Sequence, residues 1–187
     1  KLATPVTSID PTEVNSSLSP PIGTIGAIAG FGRTGGAAED YGIKRAGMVA
    51  TTDCTGVLSG LGNDELVCWE FLNPLGPAGT DSNTCNGDSG GPLFADLGGG
   101  ETVVGVTSGG TNGLCLPTDH SYDANVFAYN AFIATELGAD STASCGGLPA
   151  VGDPTVLVGG ESSTLSSAVP SVSSIVHVTG TPDELRF

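Results

Sequence analysis

The chain has 187 residues, 5 Lys+Arg against 20 Asp+Glu, and a formal net charge of −15. No Lys or Arg occurs between Arg45 and Arg186, and so acidic a surface repels phosphate backbones and anionic headgroups, which excludes nucleic-acid and membrane-surface binding as expected functions. Hydrophobic content of 39% is enough for a core, while 30 Gly and 12 Pro interrupt the chain too often for long helices. Short strands joined by turns suit that composition. No apolar run reaches the 18 or so residues of a membrane span. The chain opens Lys1-Leu2-Ala3 without a targeting segment, and reads as a piece of something longer.

Residues 1–20 hold short apolar stretches cut by Pro5, Pro11 and Pro20-Pro21, which suits edge strands and connectors. Ile22–Gly32 carries Ile at spacings of three, but its glycines favour a strand with bulges over a helix. Residues 45–53 and 65–71 are further predicted strands. Leu93-Phe94 and Thr102–Thr107 form a predicted hairpin around the glycine-rich turn Asp96–Gly100. In Asp123–Leu137 the residues Val126, Tyr129, Phe132, Ile133 and Leu137 follow helical spacing, and Gly138 is placed to cap a short amphipathic helix. Residues 146–155 read as a linker. Residues 156–187 are Ser/Val-rich and read either as the opening strands of an incomplete β module or as a low-complexity tail, too short to bury a core alone.

Cysteines stand at 54, 68, 85, 115 and 145, with no CxxC pair, and the two histidines, His120 and His177, are far apart. Such a set does not suit a structural zinc site, so no metal and no cofactor is expected. In low-charge sequence rich in Gly, Ser and Thr, the thiols read as disulfides of a secreted protein rather than as buried free thiols, with one cysteine left over.

The most informative stretch is Cys85-Asn86-Gly87-Asp88-Ser89-Gly90-Gly91-Pro92-Leu93. A serine between glycines can be held on a tight turn with its hydroxyl exposed, and Gly87 permits backbone angles that let N–H groups gather beside it. Two such donors next to a hydroxyl nucleophile form an oxyanion hole for acyl transfer. For Gly-Asp-Ser-Gly alone a glycine-rich Asx turn would serve as well. The full stretch with its leading cysteine is more specific.

That stretch resembles the nucleophile motif of the trypsin/chymotrypsin family of serine peptidases. Further blocks follow in the family's order. Lys1–Val6 resembles the segment just after the family's catalytic aspartate, and Gly30-Phe31-Gly32 the Gly-Trp-Gly strand that opens the second barrel. Gly105–Gly110 resembles the strand that pairs with substrate, and Val126–Ile133 the start of the C-terminal helix. The fold this resemblance implies is all-β: the second barrel of a chymotrypsin-like double barrel over residues 1–145, with one short C-terminal helix. After it come the linker and the start of a β-sandwich-like module.

Carried over by position, Ser89 is the expected nucleophile, Gly87 and Ser89 supply the oxyanion N–H groups, and Asp88 is the carboxylate that locks the turn, in the family by pairing with a freed N-terminal ammonium. Lys1 aligns mid-domain and is not that terminus. Asn83, six residues before Ser89, stands at the pocket base where trypsin-like enzymes have aspartate, and Thr84, Ser108 and Gly110 are further expected substrate contacts. Ser108-Gly109-Gly110 replaces the usual Ser-Trp-Gly, which is expected to loosen the grip on the neighbouring substrate side chain. Thr84 with His120 would favour an acidic substrate residue and Asp123 a basic one, and the residues do not choose.

The implied disulfides are Cys54 with Cys68 and Cys85 with Cys115, leaving Cys145. The family's catalytic histidine and aspartate precede the segment that Lys1–Val6 resembles, so the expected partners are a polypeptide substrate and an absent N-terminal barrel. The resemblance thus implies a secreted serine endopeptidase whose nucleophile half, alone, is nearly inactive. A non-catalytic binding module on the same fold is the alternative.

Overall fold

A computed structural model describes residues 8–142, with side chains as far as Gly138. Six strands, β1 (Ile25–Gly30), β2 (Arg45–Thr52), β3 (Leu66–Glu70), β4 (Pro92–Asp96), β5 (Glu101–Gly110) and β6 (His120–Asn125), precede one helix, α1 (Asn130–Thr142). They close a barrel in the order β1-β2-β3-β6-β5-β4, with β4 pairing back onto β1. Every pairing is antiparallel. Closure leaves no free sheet edge, which lets strands with this much glycine stand without a covering layer.

Ile28, Val49, Val67, Trp69, Leu93, Ala95 and Val104 fill the interior. Gly26 lets β1 lie close to β4, since a Cβ there would come 2.7 Å from Leu93 Cδ1. A second buried group forms around the Cys54–Cys68 disulfide with Leu66, and Tyr122 packs against it. The register shifts between Leu93 and Phe94 on β4 and between Thr107 and Gly109 on β5. The second irregularity re-aims the end of β5 around Ser108, the usual structural effect of a bulge.

Five expected strands agree with β1–β5, and so does the Asp96–Gly100 turn, whose Gly98 and Gly100 amides donate to Asp96 Oδ1 at 2.7 and 2.9 Å. The expected helix over 123–137 is corrected. Residues 120–125 are strand β6, and α1 begins only at Asn130 and runs past Gly138, which is not its cap. The reason lies inside the barrel. β6 alternates half-buried and buried residues, but the buried ones, Ser121, Asp123 and Asn125, are polar. Asn125 is held there because its amide donates to Ser19 Oγ at 2.7 Å and to the Asn63 and Asp64 carbonyls, while its Oδ1 accepts from Phe127 N–H. On α1, Phe132 and Leu137 remain 64% and 62% exposed. The linker, the C-terminal module, Cys145 and His177 lie outside the described residues.

Asp123 is completely buried, opposite Val67 on β3 and Thr107 on β5, without an ion pair among the described residues. Burial pushes its pKa up to about 8, only partly opposed by the Thr107 hydroxyl. The folded barrel therefore prefers the neutral acid, whereas the unfolded chain ionises near 3.8. The resulting stability is complete below about pH 4 and is lost between pH 4 and 8, at about 1.4 kcal/mol per pH unit. Asp123→Asn cannot ionise, so its stability advantage over the parent should be near zero at pH 4 and grow to several kcal/mol (roughly) by pH 8. Urea unfolding at a series of pH values measures it.

Candidate active site

The segment Ser82–Gly91 runs between β3 and β4 and is pinned at its start by Ser82 N–H donating to the Met48 carbonyl at 3.1 Å. The Cys85–Cys115 disulfide, S–S 2.03 Å, ties it to the loop after β5. Both disulfides implied by the resemblance are thus formed. The loop crosses to β6 through Asp119, so three walls meet: 84–89, 107–115 and 119–122. They enclose a cavity of about 230 Å³ whose lining includes Ser89, Ser108, Asp119 and Tyr122.

Ser89 is exposed on the turn that ends at Gly91, where Gly91 N–H donates to the Asp88 carbonyl at 2.8 Å. Two neighbouring amides are used: Asp88 N–H donates to Cys85 O at 3.0 Å and Gly90 N–H to Thr107 O at 2.8 Å. The amides of Gly87 and Ser89 make no hydrogen bond among the described residues, and neither does the Ser89 hydroxyl. Gly87 has φ +99°, and a Cβ there would lie 2.9 Å from the Tyr41 ring, so both its conformation and its surroundings require glycine. Tyr41 is itself covered by the Arg33 guanidinium, 4.5 Å from the ring centroid.

Asp88 faces away from the pocket. Its Oδ1 accepts from Gly32 N–H at 2.7 Å and its Oδ2 from Cys85 N–H at 2.9 Å, with no cation paired to it among the described residues. A second cavity of about 260 Å³ opens beside it, lined by Gly30, Gly32, Arg33 and Asn83 among others. The glycines of Gly30-Phe31-Gly32 make room for the carboxylate: a Cβ on Gly30 would run into Asp88 Oδ1, and one on Gly32 would lie 2.6 Å from its Cγ.

The base of the pocket is a polar chain. Thr84 Oγ1 donates to Ser121 Oγ at 3.1 Å, Ser121 Oγ donates to Asn83 Oδ1, and Asn83 Nδ2 donates to Asp119 Oδ2 at 3.2 Å. Asp119 Oδ1 accepts from Thr111 Oγ1 at 3.1 Å and from Asn112 N–H at 2.8 Å. Beside Ser108, the Tyr122 hydroxyl fills the space next to Gly109, 2.6 Å from where a Cβ would be.

The structure places Thr84, Ser89, Ser108 and Gly110 on one cavity, Asn83 and Asp88 on the second, and Gly87 on the turn between Asn86 and Asp88. It separates His120 and Asp123 from the pocket. The His120 ring points out to Glu70, Nε2–Oε1 3.5 Å, and Asp123 faces the barrel core. Neither expectation for the charge that selects the substrate side chain holds. Sequence reasoning passed over Asp119, Tyr41 and Tyr122. Only the position of Asp119 directly before β6 hints at it, and that strand was not recognised. Among the described residues there is no cluster of metal-ligating side chains, and no helix is long and apolar enough to cross a membrane.

A closed antiparallel barrel with an exposed serine on a glycine turn, beside a disulfide-braced pocket, defines the second barrel of a chymotrypsin-like fold. The trypsin family model matches residues 1–133, and the chain belongs to that family. It is similar to fibrinolytic enzyme, isozyme C, of Lumbricus rubellus, 37% identical over 118 residues that cover 59% of this chain and 47% of the relative. It is also similar to a beta-fibrinogenase of Macrovipera lebetinus, 35% identical over 63 residues, 34% of this chain and 23% of that protein. The chain thus spans about half or less of the curated relatives it matches. Its fold matches neuropsin, a serine protease of mouse brain, with TM-score 0.55 and 23% identity, covering 69% of this chain and 54% of that one.

Gly32→Ala should destabilise the barrel by about 1–3 kcal/mol, because the Asp88 carboxylate must leave its two amide donors to make room. Gly35→Ala, where a Cβ meets open space, is the control and should change little. Urea midpoints of the two variants make the comparison.

Proposed function

We propose that this chain is the nucleophile half of a secreted serine endopeptidase, which cleaves peptide bonds through an acyl-enzyme on Ser89. The observation that carries the reading is the exposed Ser89 hydroxyl at the pocket mouth, flanked by the unused amides of Gly87 and Ser89. In a hydrolytic cycle the hydroxyl attacks the substrate carbonyl, and the two amides receive the oxygen as it becomes negative. Asp88 holds the turn in that shape through Gly32 and Cys85. The second cavity beside it has room for a further donor such as an N-terminal ammonium.

A serine hydroxyl without a base is a weak nucleophile. His120 does not serve, because it pairs with Glu70 outside the pocket, and His177 lies outside the described residues. The base and the aspartate that orients it belong, on this reading, to an N-terminal barrel. The exposure of Phe132 and Leu137 and the coverage of about half of the relatives' length support that partner. Two disulfides support an oxidising, extracellular location. The names of the relatives point to fibrin and fibrinogen as substrates to try first.

A serine-directed phosphonate should label the full-length protein at Ser89, and Ser89→Ala should lower peptide hydrolysis by about 10⁴-fold or more. This chain produced alone should label slowly and hydrolyse almost nothing. A full-length protein that binds peptides but neither labels nor hydrolyses them would instead be the binding module.

A further inference from the structure

We propose that Asp119 selects the substrate residue, so that the pocket takes a cationic side chain and takes lysine in preference to arginine. The inference rests on the peptidase reading above and names its substrate class. Asp119 is 2% exposed and lines the cavity that opens at Ser89. Its donors, Asn83, Thr111 and the Asn112 amide, are all neutral, and no Lys, Arg or His pairs with it among the described residues. A buried carboxylate held only by neutral donors has no counter-charge, and a cation entering the pocket is the complement it lacks. An acidic side chain would meet a like charge there, and a neutral one would leave the carboxylate as it is.

Asn83 occupies the position from which the family's basic-selective members present aspartate, and its amide nitrogen donates to Asp119 behind the pocket. Gly110 keeps the approach open, since a Cβ there would lie 2.5 Å from Asp119 Oδ2.

The preference for lysine follows from counting lone pairs. A carboxylate offers about four acceptor sites. Oδ1 already accepts two donors and Oδ2 one, which leaves a single site, on Oδ2. A guanidinium fork needs an acceptor site on each oxygen to bind in its bidentate mode. An ammonium is a compact charge that can use the one remaining site and turn its other hydrogens to neutral oxygens nearby.

The test uses the full-length protein and four peptide anilides that differ only in the residue before the scissile bond: Lys, Arg, Phe or Glu. The expected order of kcat/KM is Lys, then Arg, then Phe and Glu. Asp119→Asn should lower the Lys-to-Phe ratio by at least about 30-fold. The double variant Asn83→Asp/Asp119→Asn moves the carboxylate one hydrogen bond away and should restore a preference for Lys over Phe. A neutral phosphonate titrates Ser89 in every variant, so a misfolded protein is recognised and left out of the ratios. A parent that prefers Phe or Glu, or a ratio indifferent to Asp119→Asn, overturns the proposal, and Arg ahead of Lys overturns the lone-pair argument. If the parent neither labels nor hydrolyses, the peptidase reading has failed. Calorimetric titration with n-butylammonium then tests the pocket alone: binding weakened by Asp119→Asn supports the cation site, and equal or absent binding in parent and variant removes it.

Discussion

One carboxylate, that of Asp88, organises the region around Ser89. By accepting from Gly32, just past β1, and from Cys85 on the pocket wall, it ties the residue before the serine to both. The turn would otherwise be three glycines and a serine, free to adopt many shapes, and glycine loses the most entropy when it is ordered. Two charge-assisted hydrogen bonds, each contributing about 1.5–3 kcal/mol, are of the size needed to hold it. The glycines at 30 and 32 exist in this arrangement to give that carboxylate space. The disulfide at Cys85 keeps the wall from drifting away from it.

The pocket beyond the turn is built on a different principle. Its polar groups come from three separate segments, and each is satisfied by the next: hydroxyl to hydroxyl to amide to carboxylate. Such a chain holds its members in register because moving one leaves another unpaired in a site with little water. Placing the acid on the β6 side rather than beside Ser89 ties the pocket floor to the barrel wall itself. The first residue of β6 donates its amide to Thr111 Oγ1, and the same hydroxyl donates to Asp119.

How far these features could be read in the residues differs by region. The glycine turn and the strands through β5 are legible because each leaves a local mark, a motif or a short apolar run between turns, and the disulfide pairing follows from the resemblance. β6 is not legible. Its inward residues, Ser121, Asp123 and Asn125, are polar, so a strand with perfect alternation of burial shows none in hydropathy, and the apolar residues just after it suggested a helix instead. With the strand hidden, nothing in the residues marks Asp119 as part of the pocket, while its charged neighbours Asp123 and His120 face the core and Glu70. Tyr41 was equally hidden, since its approach to Gly87 depends on a loop that no periodicity describes.

The uneven spread of charge reaches further than any contact described above. Arg33, Lys44 and Arg45 sit together near β1 and β2, and the rest of the described chain carries acids alone. Potentials of this kind extend over a Debye length, about 8 Å at physiological ionic strength. Diffusing polycations are therefore gathered toward the barrel before they touch it, and polyanions are turned aside. Encounter rates with polycations thus depend on dissolved salt and are faster in dilute media than in brine.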